Sequence, residues 1–271
     1  MTRRILVGGR ADDPCLDLLV REARSSGYEV VDARVNQSET RAFRWCLQEG
    51  LAHLEGRLLE ANAAFLRVDA PTGRNRQSDA PSLAELLTDW ALARTSVALL
   101  NRFQSRIAAS PAATLSLARA CGLRIPSTNL SSEPFHQSTV STSSEPRHDS
   151  ELRVYIVGDE ALAFSIEAVA PEGRAERGCL IAPVPVPLPL LDPVHSVGRA
   201  LGVDFGCATF RSCQQTGELV FFGIDPSPSF ARCDRLSGSA ISRAILRSLL
   251  EPPSARRPTG RPGPLVNSDA I

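Results

Sequence analysis

Two stretches in the C-terminal half of the chain alternate apolar and polar residues in a way that is typical of β-hairpins. Residues 152–166 form two apolar runs on either side of Gly158-Asp159, a dipeptide that favours a tight turn. Residues 203–225 repeat this arrangement around a polar turn at 214–217. We therefore predict two antiparallel strand pairs.

Side chains in a strand point alternately to the two faces of a sheet. Along the last predicted strand, Phe221 should therefore share one face with Gly223 and Asp225. Phe222 should lie on the other face, where the next side chains in both directions are also apolar. We predict that the face carrying Phe222 is the core side.

The N-terminal region begins with the pattern of a βαβ unit. Residues 3–9 form a short apolar strand that ends in two glycines, and Asp13-Pro14 is a helix start. Residues 28–32 give the second strand, and residues 63–69 give a later one that contains Arg67.

Two segments in the middle of the chain have the apolar spacing of amphipathic helices. In residues 82–100, Ser82 is a candidate N-cap and Glu85 completes a capping box. In residues 110–122, Ser110-Pro111 supplies the cap and the first helical position. We predict a helix over each segment.

Prolines alternate with Val and Leu over residues 183–193, which predicts an extended segment or an edge strand. A helix is expected to begin at Asp192-Pro193, and a last helix covers residues 237–250. His195 lies three residues after Asp192, and we interpret it as a surface histidine without a catalytic role.

Two segments lack any helical or strand period. Residues 131–150 are mainly Ser, Thr, Glu, Pro and His, which predicts a flexible linker, and residues 251–271 have the composition of a disordered tail. We divide the chain into an N-terminal α/β domain, a helical connector, a linker, a C-terminal domain and a tail. The boundaries are 1–100, 101–130, 131–150, 151–250 and 251–271.

The composition indicates a soluble protein without a net charge. The 271 residues include 30 basic and 30 acidic side chains, and all the basic ones are arginine. No run approaches 18 apolar residues. We expect a cytoplasmic protein that binds neither nucleic acid nor membranes. Because lysine is absent from the sequence, a P-loop is excluded.

Cysteine and histidine spacing argues against two further kinds of site. The seven cysteines and four histidines do not form the paired spacings of a zinc site, and the odd number of cysteines does not favour a disulfide framework.

Three motifs together resemble one enzyme family. Residues 201–211, L-G-V-D-F-G-C-A-T-F-R, and residues 221–226, F-F-G-I-D-P, resemble a pattern of ATP-grasp ligases of the RimK and peptide-maturing kind, L-G-L-D-x-G-x-I-D-x-R followed by F-x-E-V-N-P. Residues 153–159, R-V-Y-I-V-G-D, match a hairpin signature of these enzymes, and Asn101-Arg102 fits a further motif. Arg67 resembles an exposed arginine of the peptide-maturing ligases, although a solvated strand-end arginine is an equal alternative.

This resemblance implies an α/β (α+β) fold class. We expect an N-terminal βαβ module like the domain that precedes the ATP-grasp domain, followed by an ATP-grasp-like antiparallel sheet with helices. In the family, the interval that corresponds to residues 131–150 is several times longer and carries the lid over ATP. The lid subdomain is therefore expected to be largely missing.

The resemblance also implies a site for ATP and magnesium. Arg153 and Arg211 are the candidate catalytic residues, and Asp204 and Arg153 are the candidates for binding ATP. The metal positions fall on Thr209 and Asp225.

At those metal positions the chain departs from the family pattern. Thr209 replaces an aspartate, Gly223 replaces a glutamate and Asp225 replaces an asparagine. Magnesium prefers hard oxygen ligands in octahedral geometry, so we expect only Asp225 to remain a good ligand.

Three hypotheses of function follow. The first is a degenerate ATP-grasp-like protein, weak or inactive in catalysis, that binds a peptide or protein partner in peptide modification. The second is an active ATP- and magnesium-dependent carboxylate-amine ligase that forms an acyl phosphate, with unorthodox ligands at Asp204, Glu218 and Asp225 or with residues from another subunit. The third is a relict without a selected function. ATP and magnesium are expected only if the site survives, and the sequence leaves homo-oligomer formation open.

Overall fold

The computed structural model of the chain describes residues 3–36, 41–67, 82–102, 110–127, 150–169, 178–212 and 216–251. The predicted linker apart from Ser150, and the predicted tail apart from Glu251, lie outside these ranges. Within the described ranges, each helix is too short or too polar to cross a membrane.

The described strands and helices follow one another in this order: β1 (Arg4–Arg10), α1 (Pro14–Ser25), β2 (Glu29–Val35), β3 (Phe43–Cys46), β4 (Leu51–Leu54), β5 (Arg57–Leu58), β6 (Ala63–Leu66), α2 (Leu83–Ala93), β7 (Ala98–Leu99), α3 (Pro111–Ala120), β8 (Ser150–Val157), β9 (Glu160–Val169), β10 (Gly178–Val184), α4 (Leu188–Leu201), β11 (Phe205–Ser212), β12 (Leu219–Asp225), α5 (Ala231–Leu236) and α6 (Ala240–Leu250).

The N-terminal part confirms the predicted βαβ unit. Among the described residues, four parallel strands form a sheet in the order β2-β1-β6-β7, and the short antiparallel strands β3, β4 and β5 form a second sheet. Helix α1 begins as predicted, because the Asp13 carboxylate accepts a hydrogen bond from the Cys15 N–H at 2.8 Å.

The C-terminal part is an antiparallel sheet in the order β10-β9-β8-β11-β12, as the structure describes it. Both predicted hairpins are present, as the pairs β8/β9 and β11/β12. One face of the sheet packs on α1, α5 and α6, and the other packs on α3 and α4. The sheet therefore has a covered layer on each side, as in a mixed α/β fold.

The N-terminal and C-terminal parts share one hydrophobic core. Val7 of β1 and Leu16 of α1 belong to the same buried cluster as Phe205, Phe230 and Ile245. The domain boundaries that we derived from the sequence remain a prediction, but this cluster joins residues from both sides of them.

Helix α2 is shorter than predicted. The capping box is present, with the Glu85 N–H donating to Ser82 Oγ at 3.2 Å and the Ser82 N–H donating to Glu85 Oε2 at 2.7 Å. The prediction of a helix up to Leu100 was wrong, because the helix ends at Ala93 and residues 98–99 pair with β6. The apolar residues at 97–100 satisfied the helical period, although the chain there is a two-residue strand between a bend and a turn.

Two other predicted helix starts were also wrong. Helix α4 begins at Leu188 rather than at Asp192, because Pro189 lies in its first turn, where a proline removes no hydrogen bond that the helix needs. Pro193 lies inside the helix. Helix α6 begins at Ala240 rather than at Ser237. The fully buried Asp234 carboxylate caps α6 by accepting hydrogen bonds from the Ile241 and Ser242 N–H groups at 2.8 and 3.0 Å.

A β-bulge overturns the predicted faces of β12. Thr209 of β11 lies opposite Gly223, but the next residue, Phe210, lies opposite Phe221, so Phe222 is an extra residue in its strand. Phe221 is consequently fully buried against Phe210, whereas Phe222 is only partly buried. The core side of β12 therefore carries Phe221.

Candidate functional site

Three of the positions that the sequence assigns to the site, Arg153, Thr209 and Gly223, meet in a row across three neighbouring strands. Thr209 of β11 is the direct cross-strand partner of both Arg153 on β8 and Gly223 on β12. In the next row towards the end of the sheet, Arg211 is the partner of Glu151. Side chains two residues apart on a strand share a face, so Arg153, Thr209, Arg211 and Glu151 lie on one surface.

Glu151 lies between the two arginines of this surface. Its Oε1 accepts a hydrogen bond from Arg153 Nε at 2.6 Å, and its Oε2 lies 4.0 Å from Arg211 Nη2. Burial by itself lowers the pKa of Arg153, but the hydrogen bond and the charge of Glu151 outweigh it and raise the pKa above its ordinary value. The guanidinium therefore stays charged and is partly neutralised within the chain.

The edge of the same surface is formed by the bulge in β12. The Arg211 guanidinium stacks over the Phe222 ring at 4.7 Å from its centroid, which is a cation–π contact. Beside it, Gly223 leaves the surface open, because a side chain there would meet nothing within 4 Å at its first carbon atom.

Asp225 lies in the row on the other side of Thr209 from Arg211, opposite Cys207. Its side chain is exposed, and Oδ1 accepts a hydrogen bond from the Ser227 N–H at 2.8 Å. Burial raises the pKa of the Cys207 thiol to about 12, so this sulfur is a neutral thiol near pH 7 and a poor metal ligand.

The residues of this surface do not fit a magnesium ion. Magnesium requires several oxygen ligands in near-octahedral geometry. Thr209 offers a neutral hydroxyl, Gly223 offers no side chain, and Asp225 already accepts a backbone hydrogen bond with one oxygen. Among the described residues, no group of three or more His, Cys, Asp and Glu side chains is placed to hold a metal ion.

Asp204, the other candidate for ATP, lies away from this row. Its carbonyl accepts a hydrogen bond from the Gly158 N–H at 2.7 Å, and Gly158 is five residues, or roughly 16 Å along a strand, from Arg153. Asp204 lines a separate cavity of about 680 Å³ together with His195, Arg199 and Leu249, among other residues. The structure therefore brings together Arg153, Thr209, Arg211 and Asp225, but not Asp204.

The Asn101 side chain bonds to the backbone at the start of β11 and just after the end of β12. Its Oδ1 accepts hydrogen bonds from the Asp204 and Phe205 N–H groups, each at 2.7 Å. Its Nδ2 donates to the Phe205 carbonyl at 2.8 Å and to the Pro226 carbonyl at 3.1 Å. Asn101 thus joins the start of β11 to the loop that follows Asp225.

That loop, residues 226–230, is held along its whole length by side chains from other elements. Arg67 donates to the Pro228 carbonyl at 2.7 Å and to the Ser227 carbonyl at 3.2 Å. The Tyr155 hydroxyl donates to the Ser229 carbonyl at 3.0 Å, and the Phe230 N–H donates to Cys15 Sγ at 3.2 Å. Only 14% of the Arg67 side chain is exposed, so neither reading of it as an exposed arginine was right.

Sequence reasoning missed Glu151, Asn101 in its role as a clamp, and the partners of Arg67. Glu151 could have been found, because it stands two residues before Arg153 and strand alternation places both on one face. The two carbonyl partners of Arg67, those of Ser227 and Pro228, lie 160 and 161 residues further along the chain, and no local pattern indicates them.

Comparisons of the sequence with protein families and with curated proteins found no match. The structure, in contrast, is similar to solved structures. For the ATP-grasp ligase PsnB complexed with a minimal precursor, the TM-score is 0.71 at 15% sequence identity, covering 92% of this chain and 100% of that chain.

Two other solved structures give the same result. The macrocyclase MdnC bound with the precursor peptide MdnA, from Microcystis aeruginosa, has a TM-score of 0.64 at 15% identity, covering 91% of this chain and 98% of that one. The D-alanine–D-alanine ligase from Bacillus anthracis complexed with ATP has a TM-score of 0.56 at 12% identity, covering 93% and 96%. From its topology and these similarities, the chain has the fold of the ATP-grasp superfamily.

Proposed function

We propose that this chain is a peptide-binding protein built on an ATP-grasp fold, and that it does not use magnesium and ATP for catalysis. The observation that carries the proposal is the cross-strand pair Thr209 and Gly223. In the family pattern, this pair would be two carboxylates that hold magnesium against the phosphates of ATP.

The charges of the surface support the same reading. Catalysis by phosphoryl transfer depends on positive groups that neutralise the developing charge. Here Arg153 donates to Glu151 at 2.6 Å, and Arg211 lies 4.0 Å from the same carboxylate. Part of the positive charge that a nucleotide needs is therefore already compensated.

The alternative, an active ligase with unorthodox metal ligands, needs Asp204, Glu218 and Asp225 to converge. Asp204 precedes β11 and Glu218 follows its hairpin turn, so the eight residues of β11, roughly 26 Å, separate them. The Glu218 carboxylate forms an ion pair with Arg124 and accepts a hydrogen bond from Thr216 Oγ1 at 3.0 Å. This geometry disfavours a shared metal site.

The peptide part of the proposal comes from the structural neighbours. PsnB was solved with a minimal precursor, and MdnC was solved with a precursor peptide. We carry over to this chain only the class of partner, a peptide, because sequence identities of 15% show the fold alone.

Calorimetric titration of magnesium and ATP into the protein tests the catalytic part. We expect no saturable binding up to about millimolar ATP, which corresponds to less than about 4 kcal/mol of binding free energy. Micromolar binding that Asp225→Ala abolishes would instead identify a surviving nucleotide site and support the ligase alternative.

A restored variant gives the matched comparison. Thr209→Asp combined with Gly223→Glu would return two carboxylates beside Asp225, and the space above Gly223 is open, although its φ of +159° strains any other residue. We expect this variant to gain binding of Mn²⁺, used in place of Mg²⁺, while Gly223→Ala reports on the backbone strain alone.

Selection from a random peptide library displayed on phage tests the binding part. We expect one sequence motif to be enriched, and a synthetic peptide with that motif to bind in fluorescence anisotropy. Enrichment of no motif would contradict the proposal that the chain binds peptides.

A further inference from the structure

We propose that the cavity beside helix α4 binds a short peptide, of about two or three residues, by both of its charged ends. Asp192 binds the ammonium group of this peptide, and Arg199 binds its carboxylate. The inference goes beyond the proposed function, because the cavity is separate from the surface that carries Thr209 and Gly223 and does not depend on whether the chain uses ATP.

The cavity lies at the end of the parallel sheet where the strands begin. Arg3 precedes β1, Asn62 precedes β6, and both line the cavity together with Leu99 of β7. Arg67, in contrast, follows the end of β6 and contacts the loop after Asp225. The cavity therefore lies at the opposite end of the parallel sheet from that loop.

The cavity has the size and the lining of a small-molecule site. Its volume is about 680 Å³, and clefts that bind small ligands measure roughly 300 to 1,000 Å³. The buried side chains of Val97, Leu249 and Leu250 line it, as do the exposed side chains of Asp192 and Arg199. The cavity thus has an apolar floor and a charged rim.

The charges that line the cavity nearly cancel. Three arginine and four acidic side chains belong to the lining, so the sum near pH 7, with His195 neutral, is one net negative charge. A lining of this kind repels neither sign of charge strongly, and it does not attract a polyanion such as a nucleotide. It favours a ligand that carries one charge of each sign.

Charged groups of both signs in this lining are available to a ligand. With the residues that the structure describes, the side chains of Asp192 and Arg199 form neither a hydrogen bond nor an ion pair. The same holds for Asp159, a second carboxylate of the lining, which lies in the turn between β8 and β9. A guanidinium binds a carboxylate through two parallel hydrogen bonds, and a carboxylate binds an ammonium group through a charge-assisted one.

The spacing of the two charges fits the length of a short peptide. His195 is three residues after Asp192 and four before Arg199, so the three side chains share one face of α4, and all three line the cavity. Seven residues of helix separate Asp192 from Arg199, which is roughly 10 Å along the axis. An extended peptide spans about 3.3 to 3.6 Å per residue, so two or three residues match this distance.

His195, between the two charges, can bind the peptide group. Its side chain is half-buried, and burial and the charge of Arg199 lower the pKa of the imidazole below its ordinary value. The ring is therefore neutral near pH 7, and a neutral imidazole offers one hydrogen-bond donor and one acceptor. A peptide group requires both.

The experiment is isothermal titration of the tripeptide Ala-Leu-Ala into the protein at about pH 7 and low ionic strength, where both ends of the peptide are charged. Two blocked forms of the same peptide are the comparison, because N-acetylation removes the ammonium charge and C-terminal amidation removes the carboxylate charge. We expect the free tripeptide to bind at least about tenfold more tightly than either blocked form, since each loses one charge-assisted contact.

Three variants assign each end of the peptide to a residue. Arg199→Gln should bind the free and the amidated tripeptide equally well, and Asp192→Asn should bind the free and the acetylated tripeptide equally well. The matched control is Arg235→Gln, because Arg235 is exposed on α5, lies outside the cavity lining and undergoes the same loss of charge. It should retain the preference of the natural chain. Thermal unfolding checks that each variant is folded.

Two results with the natural chain would overturn the proposal: no saturable binding of the free tripeptide up to about 10 mM, or a blocked form that binds as tightly as the free one. A preference for the free tripeptide that persists unchanged in both Arg199→Gln and Asp192→Asn would place the binding elsewhere and would overturn it as well. Peptides displayed on phage are joined to the coat protein through their carboxyl ends, so the library that tests the proposed function lacks the free carboxylate. Either experiment can therefore fail without the other.

Discussion

The guanidinium of Arg67, at the end of β6, lies 2.8 Å from the carboxylate of Asp13, the N-cap of α1, and 14% and 16% of these side chains are exposed. The same guanidinium holds the carbonyls of Ser227 and Pro228 and lies 6.0 Å from the centre of the Phe230 ring. Through Arg67, the ion pair with Asp13 therefore connects the N-terminal sheet to the loop that follows Asp225.

Arg67→Ala should strongly destabilise the protein. Removing one partner of a mostly buried ion pair leaves the other charge uncompensated, and we expect a loss of about 3 kcal/mol in the free energy of unfolding. Chemical denaturation measures it. The control is Arg247→Ala, whose pair with Glu160 is 43% and 42% exposed and should contribute less than about 1 kcal/mol. Equal losses in the two variants would contradict this account.

Asn101→Ala should loosen the start of β11. The substitution removes four hydrogen bonds and places alanine at a φ of +56°, which asparagine tolerates better, so we expect a cost of about 2 kcal/mol or more. Hydrogen exchange should accelerate at the amides of Asp204 and Phe205.

A glycine variant separates the hydrogen bonds of Asn101 from the strain of its backbone. Asn101→Gly relieves the backbone strain but still loses the hydrogen bonds, so its amides should exchange as fast as in the alanine variant. Asn62→Ala is the control, because the Asn62 side chain accepts one exposed hydrogen bond, from the Arg4 N–H at 2.8 Å. Unchanged exchange at Asp204 in Asn101→Gly would mean that the clamp is not what orders this strand end.

Phe221→Ala should be more damaging than Phe222→Ala. The bulge buries Phe221 completely against Phe210, so its removal leaves a cavity and should cost about 3 to 5 kcal/mol. Phe222 is partly exposed under Arg211, and its loss should cost about 1 kcal/mol. Thermal unfolding of the two variants measures both losses of stability. A larger loss in Phe222→Ala than in Phe221→Ala would contradict the bulge and support the unbroken strand alternation that the sequence predicts.

His195 should make stability depend on pH. Burial and the nearby charge of Arg199 lower the pKa of His195 below its ordinary value of 6.5. These two effects outweigh the charges of Asp159 and Asp192, which raise the pKa. The unfolded chain then binds a proton more readily than the folded one. The stability that the neutral imidazole contributes is therefore present above about pH 6.5 and is lost as the pH falls below it.

His195→Gln should flatten this part of the pH profile. Denaturation midpoints of the natural chain and the variant, measured from about pH 7.5 to about pH 5, should converge towards the acidic end. A constant difference across that range would show that His195 does not titrate in this way.

Local patterns predicted much of the secondary structure. The capping box of Ser82 and Glu85 and the Gly158-Asp159 hairpin are set by residues a few positions apart, and the structure contains both. The resemblance of residues 201–226 to ATP-grasp ligases led to the fold, and strand alternation placed Thr209 and Arg211 on one face of β11. Their meeting with Arg153 depends on the pairing of β8 with β11, which joins two separate hairpins.

The sequence by itself thus determined the hairpins, the helix caps and the chemical departure from the family pattern at Thr209 and Gly223, since each depends on neighbouring residues or on residue identity alone. Only the tertiary structure decided the bulge at Phe222, the separation of Asp204 from Arg153, and the contacts of Arg67 and Asn101 with the loop after Asp225. These features depend on strand register and on partners more than 100 residues away, and no local periodicity encodes such contacts.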